Sequence, residues 1–356
     1  MPSSCGPTCR SRRATTYACD VGLILGIETS CDDSAAAVVD ENFTIFSSVI
    51  ESSLAEHSSF GGVVPELAGR AHLRTLPGVV ERALRDAGLS PTAPAIEAIA
   101  VTQGPGLVGS LLVGLSAAKA YAAAFDVPLV GVNHLEGHLF APLLEAPDLA
   151  WPLLTVLVSG GHSLLVHHES PGVFHVLGGT IDDAAGEAFD KVARWLDLGY
   201  PGGPVIDRLA AEGDPRSLPL PISMPGDTYD LSFSGLKTAV VRGAQKHPEL
   251  SDADIAASFQ RVLTEQIMRK VTRALSATTY GGVALGGGVA ANSQLRAAMA
   301  QAAAAAGVTC HLPARAMCTD NAAMIAAAGW HRLRHDGPSS LSIGPRPSWP
   351  LEELTS

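Results

Sequence analysis

The sequence predicts an α/β protein of two lobes with repeated topology. Three observations carry that prediction. Leu23–Ile27 and Ala35–Asp40 are short apolar runs on either side of a polar turn from Glu28 to Ser34, the pattern of a β-hairpin with a polar tip. Leu153–Val158 and Ser163–His168 repeat the design around Ser159-Gly160-Gly161-His162, which points to an internal duplication. Helix-like segments alternate with apolar strands between the hairpins, the signature of α/β layers.

In chain order, residues 1–22 read as a disordered extension or a mis-called start. They carry Arg10, Arg12 and Arg13, are rich in Ser and Thr, and lack the apolar run of a signal peptide. Residues 23–150 form the first lobe: the hairpin, a helix over Pro65–Ala87, a strand over Ile96–Thr102, a helix over Leu107–Ala124 and a strand over Leu129–Val132. Ala98 to Ala118 has no charge and is long enough to cross a bilayer, but Gln103 and the breaker Gly104-Pro105-Gly106 divide it into strand, loop and helix. No membrane is expected. Residues 151–325 form the second lobe, with a loop at Gly213–Asp227 that holds four prolines, a strand at Val283–Leu285 and an alanine-rich helix at Ala297–Gly307. Residues 326–356 are expected to give a C-terminal helix returning to the first lobe, then a tail.

Composition narrows the function. The 356 residues hold 24 Lys+Arg against 35 Asp+Glu, a net charge of −11, which argues against an unaided grip on nucleic acid. Hydrophobic content of 47% with 17% charged residues suits a packed core rather than a disordered chain. Six cysteines include no CxxC pair, so no disulfide framework is expected, and the cytoplasm is the expected compartment.

Three residue sets point to chemistry. His134 and His138, at i and i+4 of His134-Leu135-Glu136-Gly137-His138, share one face of a helix and can hold one metal ion. A zinc peptidase needs its glutamate directly after the first histidine, and Glu136 comes one position late. Asp320 in Cys318-Thr319-Asp320-Asn321 is a possible third ligand, although it would also serve as a simple helix cap. Glycine loops at Ser159-Gly160-Gly161 and Gly286-Gly287-Gly288 follow apolar strands and suit anion binding by backbone N–H groups, with Asn292 placed to meet a base or ribose. Asp190, then Tyr200-Pro201-Gly202-Gly203-Pro204 and Asp207, could hold ribose hydroxyls. Asp32 and Asp33 occupy the first tip. Glu66, Arg70, His72 and Lys237 are further candidates; for Lys237 a solvated lysine is the plainer reading.

In this order the motifs are specific. GIETSCDD (Gly26–Asp33), VPELAGRAH (Val64–His72), NHLEGH (Asn133–His138), LVSGG (Leu157–Gly161), GEAFDK (Gly186–Lys191), YPGGP (Tyr200–Pro204), FSGLK (Phe233–Lys237), GGGVAAN (Gly286–Asn292) and CTDN (Cys318–Asn321) follow one another along residues 23–330. The chain resembles the bacterial TsaD family of tRNA N6-adenosine threonylcarbamoyltransferases.

That resemblance implies an actin-like, Hsp70-like (ASKHA) two-lobed fold around a nucleotide cleft. It implies transfer of a threonylcarbamoyl group from threonylcarbamoyl-AMP to N6 of adenosine 37 in tRNAs reading codons that begin with A. It implies iron (Fe2+, with Zn2+ possible in vitro) on His134, His138 and Asp320. Leu157, Val158, Ser159, Gly160, Gly161, Asp190, Gly203, Asp207 and Asn292 would hold the adenylate. Apart from the resemblance, Asp32 in the first tip is a candidate proton acceptor. The family often has Glu where this chain has Asp33. The implied partners are tRNA, a TsaB-like paralogue and a TsaE-like ATPase. The acidic balance adds that tRNA grip comes from a partner or from a strip near Arg70, Arg74, Arg82 and Arg85. Competing readings are a zinc metallopeptidase, a non-catalytic ATP-binding module of the same fold, and an O-carbamoyltransferase.

Overall fold

Two five-stranded sheets with the same topology carry the fold. The structure, a computed structural model, describes residues 22–57 and 60–354, so the expected extension lies outside the described residues except for Gly22. The first sheet contains β1 (Leu23–Glu28), β2 (Asp33–Asp40), β3 (Ile45–Ser52), β4 (Ala98–Gly104) and β5 (Leu129–Asn133) in the order β3-β2-β1-β4-β5. The second contains β6 (Leu153–Val158), β7 (Ser163–Ser170), β8 (Val173–Gly179), β9 (Gly282–Gly286) and β10 (Thr309–His311) in the order β10-β9-β6-β7-β8. In each, three strands form an antiparallel meander, a fourth joins its first strand in parallel and a fifth joins the fourth in parallel. The duplication read from the two hairpins is therefore complete at the level of sheet order. Each hairpin gains a third strand that the apolar pattern did not reveal, because β3 alternates exposed and buried positions and β8 is mostly half-exposed.

Parallel neighbours need crossover connections, and helices supply them. In the first lobe these are α2 (Pro65–Asp86), with proline in its first turn, and α3 (Val108–Phe125); a single turn, α1 (Leu54–His57), precedes α2. α3 is long and apolar enough to cross a membrane, and it lies instead against the sheet with Leu111, Leu115 and Ala118 buried. Leu25, Ile27, Ile99 and Val101 face α2 and α3. The alternate residues Ile24, Ala98 and Ala100 face α11 (Ala322–His335), a helix contributed by the far end of the chain. Covered on both faces, β1 and β4 are buried almost throughout and read as continuous apolar runs.

α4 (His134–Glu145) follows β5 without a loop and packs on α11. The second sheet is covered by α5 (Ala185–Trp195), α6 (Gly202–Ala210), α7 (Ser234–Lys246), α8 (Asp252–Ala277) and α9 (Ser293–Ala306); α10 (Arg315–Cys318) leads into α11. The proline-rich loop is anchored by buried Lys270, whose Nζ donates to the carbonyls of Met224 (2.8 Å), Gly226 (3.2 Å) and Thr228 (2.7 Å). The C-terminal segment crosses the first lobe, and its Leu351 packs with Leu135 and Leu139 of α4 and with Leu157, Val166 and Phe174 of the second sheet.

Candidate active site

Three helix starts converge on the cleft, and in each an asparagine side chain caps the helix. Asn133 accepts from the N–H of Leu135 (2.9 Å) at α4, Asn292 from Leu295 (2.9 Å) at α9, and Asn321 from Met324 (3.0 Å) at α11. The cap of α11 is therefore Asn321 and not Asp320. Freed from capping, Asp320 presents Oδ1 to Nε2 of His134 (3.4 Å) and Nε2 of His138 (3.3 Å).

The ligand atoms of His134, His138 and Asp320 all lie within 4.8 Å of one another. Neither ring nitrogen of buried His138 makes a well-formed hydrogen bond, and a metal ion would satisfy Nε2. Two imidazoles and a carboxylate form a donor set suited to iron or zinc with coordination positions left open. The residues present fit a divalent metal.

Glu28, fully buried at the end of β1, stands behind His134. Its Oε2 lies 2.9 Å from Nδ1 of His134 and accepts from Oγ1 of Thr102 at 2.6 Å, while Oε1 accepts from the N–H of Ser30. This fixes the tautomer with Nδ1–H toward Glu28 and leaves Nε2 as the ligand atom. Burial opposes charge on His134, but Asp320 and Glu28 outweigh it and raise its pKa well above the usual value. Burial alone would raise the Asp320 carboxyl; His134 and His138 hold it far below the usual carboxylate range. Sequence reasoning missed Glu28. The available signal was a lone acidic residue closing an otherwise apolar strand, four residues short of the carboxylates that drew attention.

Glu136 points elsewhere. It is buried against Arg332, whose Nε donates to Oε2 at 2.5 Å. A glutamate locked in that pair is not available as the base of a peptidase.

In the second lobe the β6–β7 tip and two helix starts form a cradle. Gly186, at the start of α5, approaches the tip so closely that a Cβ there would lie 2.7 Å from the Ser159 carbonyl oxygen; its N–H donates to that oxygen at 3.0 Å. Cβ atoms built on Gly160, Gly161 and Gly203 would meet nothing within 4 Å, so these backbones border open space. Leu157 and Val158 are buried strand residues that aim the tip. Oδ1 of Asp190 accepts from the N–H of Gly202 at 2.8 Å, and burial raises its carboxyl, an effect opposed by that bond. Asp207 accepts from Ser293 Oγ (2.7 Å) and Asn292 Nδ2 (3.1 Å), tying α6 to the start of α9.

Residues of both lobes share the cleft. Burial, then His134 and His138, push His162 of the second tip down to about 4. Tyr200 is pushed up by burial, by neighbouring Asp190 and by Asp32 and Asp33 of the opposite tip. Asp33 is raised to about 6 by burial, opposed by a hydrogen bond to Ser52 and reinforced by Asp32, Asp320 and Glu28. Burial and nearby Asp32 push the Cys31 thiol far up, out of the nucleophilic range. His72 is buried and structural: Nε2 lies 3.0 Å from the Cys31 carbonyl oxygen and Nδ1 2.7 Å from Ser34 Oγ. Each of the four α2 arginines has an acidic partner at the surface. Arg70 pairs with Glu66, Arg74 with Glu56, Arg82 with Asp86 and Arg85 with Glu81.

The model of a family described as tRNA N6-adenosine threonylcarbamoyltransferase (TsaD) matches residues 44–327. Proteins of that description are similar over nearly the whole chain. One from Geobacter sp. (strain M21) is 49% identical over 336 residues, covering 93% of this chain and 97% of its own length. One from Geobacter sulfurreducens is 50% identical over 338 residues, covering 94% and 98%. Among solved structures, HypF from T. kodakarensis superposes with a TM-score of 0.60 at 15% identity, covering 89% of this chain and 48% of that one. Component A of the Acidaminococcus fermentans (R)-2-hydroxyglutaryl-CoA dehydratase gives 0.53 at 16% identity, covering 88% and 99%. At such identity the likeness shows the fold alone: the actin-like, Hsp70-like two-lobed architecture.

Proposed function

The chain belongs to the tRNA N6-adenosine threonylcarbamoyltransferase family, and we propose from that premise how its own residues divide the work of making N6-threonylcarbamoyladenosine in tRNA. The second lobe holds threonylcarbamoyl-AMP: the Leu157–Gly161 tip at the phosphate, and Asp190, Gly203, Asp207 and Asn292 around the nucleoside. The first lobe holds iron on His134, His138 and Asp320. The observation that carries this division is the buried Nε2 of His138, which makes no well-formed hydrogen bond beside Asp320, directly across the cleft from the glycine tip.

The reaction forms a C–N bond between N6 of adenosine and the carbamoyl carbon, and breaks the C–O bond to AMP. An ion held by His134, His138 and Asp320 would supply Lewis-acid polarisation of a substrate oxygen. N–H groups of the tip stabilise the charge that gathers on the departing phosphate. The aromatic amine is a weak nucleophile, so holding it against the carbonyl supplies much of the rate. Its proton passes to a tip carboxylate. Asp32 is the acceptor assigned by position, and Asp33, raised to about 6, shares the tip and changes protonation nearest neutral pH.

Cys31, Cys310 and Cys318 are free thiols, which suits a reducing cytoplasm. Leu73 of α2 and Val108 and Leu112 of α3 are exposed where the two helices pack, an apolar face for the TsaB-like paralogue; the TsaE-like ATPase and that paralogue would complete the assembly. The test is nucleoside mass spectrometry of tRNA from cells depleted of this protein. Threonylcarbamoyladenosine is expected to fall, and an unchanged level would overturn the account.

A further inference from the structure

We propose that Gln260 of α8 is a specificity-determining residue that orients the adenylate's base by donating a hydrogen bond to one of its ring nitrogens. This rests on the adenylate reading of the second lobe. Hydrogen-bond polarity runs in a chain from the backbone of Leu295 to Gln260. The N–H of Leu295 must donate, so the atom of Asn292 that accepts from it at 2.9 Å is Oδ1. Its Nδ2 then donates to Asp207 Oδ1 at 3.1 Å and to Gln260 at 2.8 Å. The Gln260 atom facing Asn292 is consequently the acceptor Oε1, and the other end of that amide is the donor Nε2. No amide-flip ambiguity survives, because a flipped Gln260 would set two NH2 groups against each other.

Gln260 is only 4% exposed, and among the described residues no group accepts from its Nε2. It lines a cavity of about 210 Å³ between α6, α8 and α9, together with Asp207, Ala210, Ala211, Ala257 and Ser293. The alanines give the cavity apolar walls suited to a flat ring. Asp207 accepts Ser293 N–H on both oxygens at 3.2 Å and Ser293 Oγ and Asn292 on Oδ1 alone, so Oδ2 keeps acceptor capacity for a hydroxyl. The cavity thus offers a fixed donor at Gln260 and a fixed acceptor at Asp207. An adenine ring nitrogen accepts and a ribose hydroxyl donates, which matches both ends. A donor held in place there would lose its partner if it met a C–H instead once the ligand had excluded water, the arrangement by which polar sites reject wrong ligands.

The test measures AMP binding to the full chain by calorimetry, with 1-deaza-, 3-deaza- and 7-deaza-AMP as probes against wild type, Gln260→Glu and Gln260→Met. Gln260→Glu keeps an acceptor for Asn292 and replaces the donor by an acceptor with an added negative charge beside Asp207; Gln260→Met removes the donor without adding charge, so a loss seen in both variants belongs to the donor. One analogue is expected to bind wild type a few-fold to about tenfold more weakly than AMP, with that difference lost in either variant. In the complete reaction the variants should raise KM for threonylcarbamoyl-AMP and leave kcat nearly unchanged, since the base is remote from the bond that breaks. AMP binding by wild type with equal penalties for all analogues in wild type and variants overturns the role of Gln260 alone. Failure of wild type to bind AMP overturns the adenylate reading with it.

Discussion

Nδ1 of His134 lies 2.9 Å from Oε2 of Glu28, a carboxylate fully buried at the end of the central strand of the first sheet. The carboxylate, imidazole and ligand position form a line in which each group fixes the next. Glu28→Gln keeps the shape and removes the charge that holds Nδ1–H. Metal affinity is expected to fall by about 10- to 100-fold, the usual cost of losing such an outer partner. Titration of the purified variant with ferrous iron or zinc checks this; affinity equal to wild type would place Glu28 outside the metal site.

Gly186→Ala tests the cradle. A Cβ there meets the Ser159 carbonyl oxygen at 2.7 Å and Gly160 Cα at 2.8 Å, both main-chain atoms that cannot step aside singly. The β6–β7 tip must shift, so KM for threonylcarbamoyl-AMP should rise at least several-fold while metal content stays at the wild-type level. Steady-state kinetics with parallel metal analysis separates the two, and an unaltered KM would remove the tip from the phosphate site.

Much of this arrangement was legible in the residues. Hairpins announced themselves because their strands are buried and apolar while their tips are polar, and His134 and His138 announced a shared helix face by spacing alone. Asp320 was ambiguous from sequence, since an acidic residue before a helix caps it as readily as it binds metal; only the Asn321 side chain on Met324 decides the matter. Glu28, Gln260 and the neutralised arginines were not legible. Their roles depend on groups far along the chain, such as His134 for Glu28 and Asn292 for Gln260, and sequence pattern reports local periodicity rather than such pairings.

Stability should depend on pH through histidines away from the cleft. Burial, then neighbouring His331, hold His168 down to about 4; burial, then His335, do the same to His331. Both stay neutral in the folded chain while the unfolded chain takes up protons below pH ~6.5. Their contribution is full above that pH and drains as pH falls toward 4. The melting temperature should decline over this window, and His168→Phe should shallow the slope. A flat wild-type profile from pH 7 to 4 would refute the assignment.

The net charge of −11 and the pairing of each α2 arginine with an acid predict weak tRNA binding by the isolated chain at physiological salt. Replacing Arg74 or Arg85 with Ala should change it little, because their charge is already offset. Filter binding over a salt series with and without partner proteins provides the measure. Tight binding by the lone chain, lost with those arginines, would show that the strip is used after all.

The most direct test of the central claim is Asp320→Ala, assayed for bound metal and for threonylcarbamoyladenosine formed in tRNA by the complete purified system. Because Asn321 caps α11, the substitution leaves that helix its N-terminal support, and the melting temperature should remain close to wild type. The account predicts that the variant loses both metal and transfer while still binding AMP. A variant that keeps its metal and still modifies tRNA would contradict it.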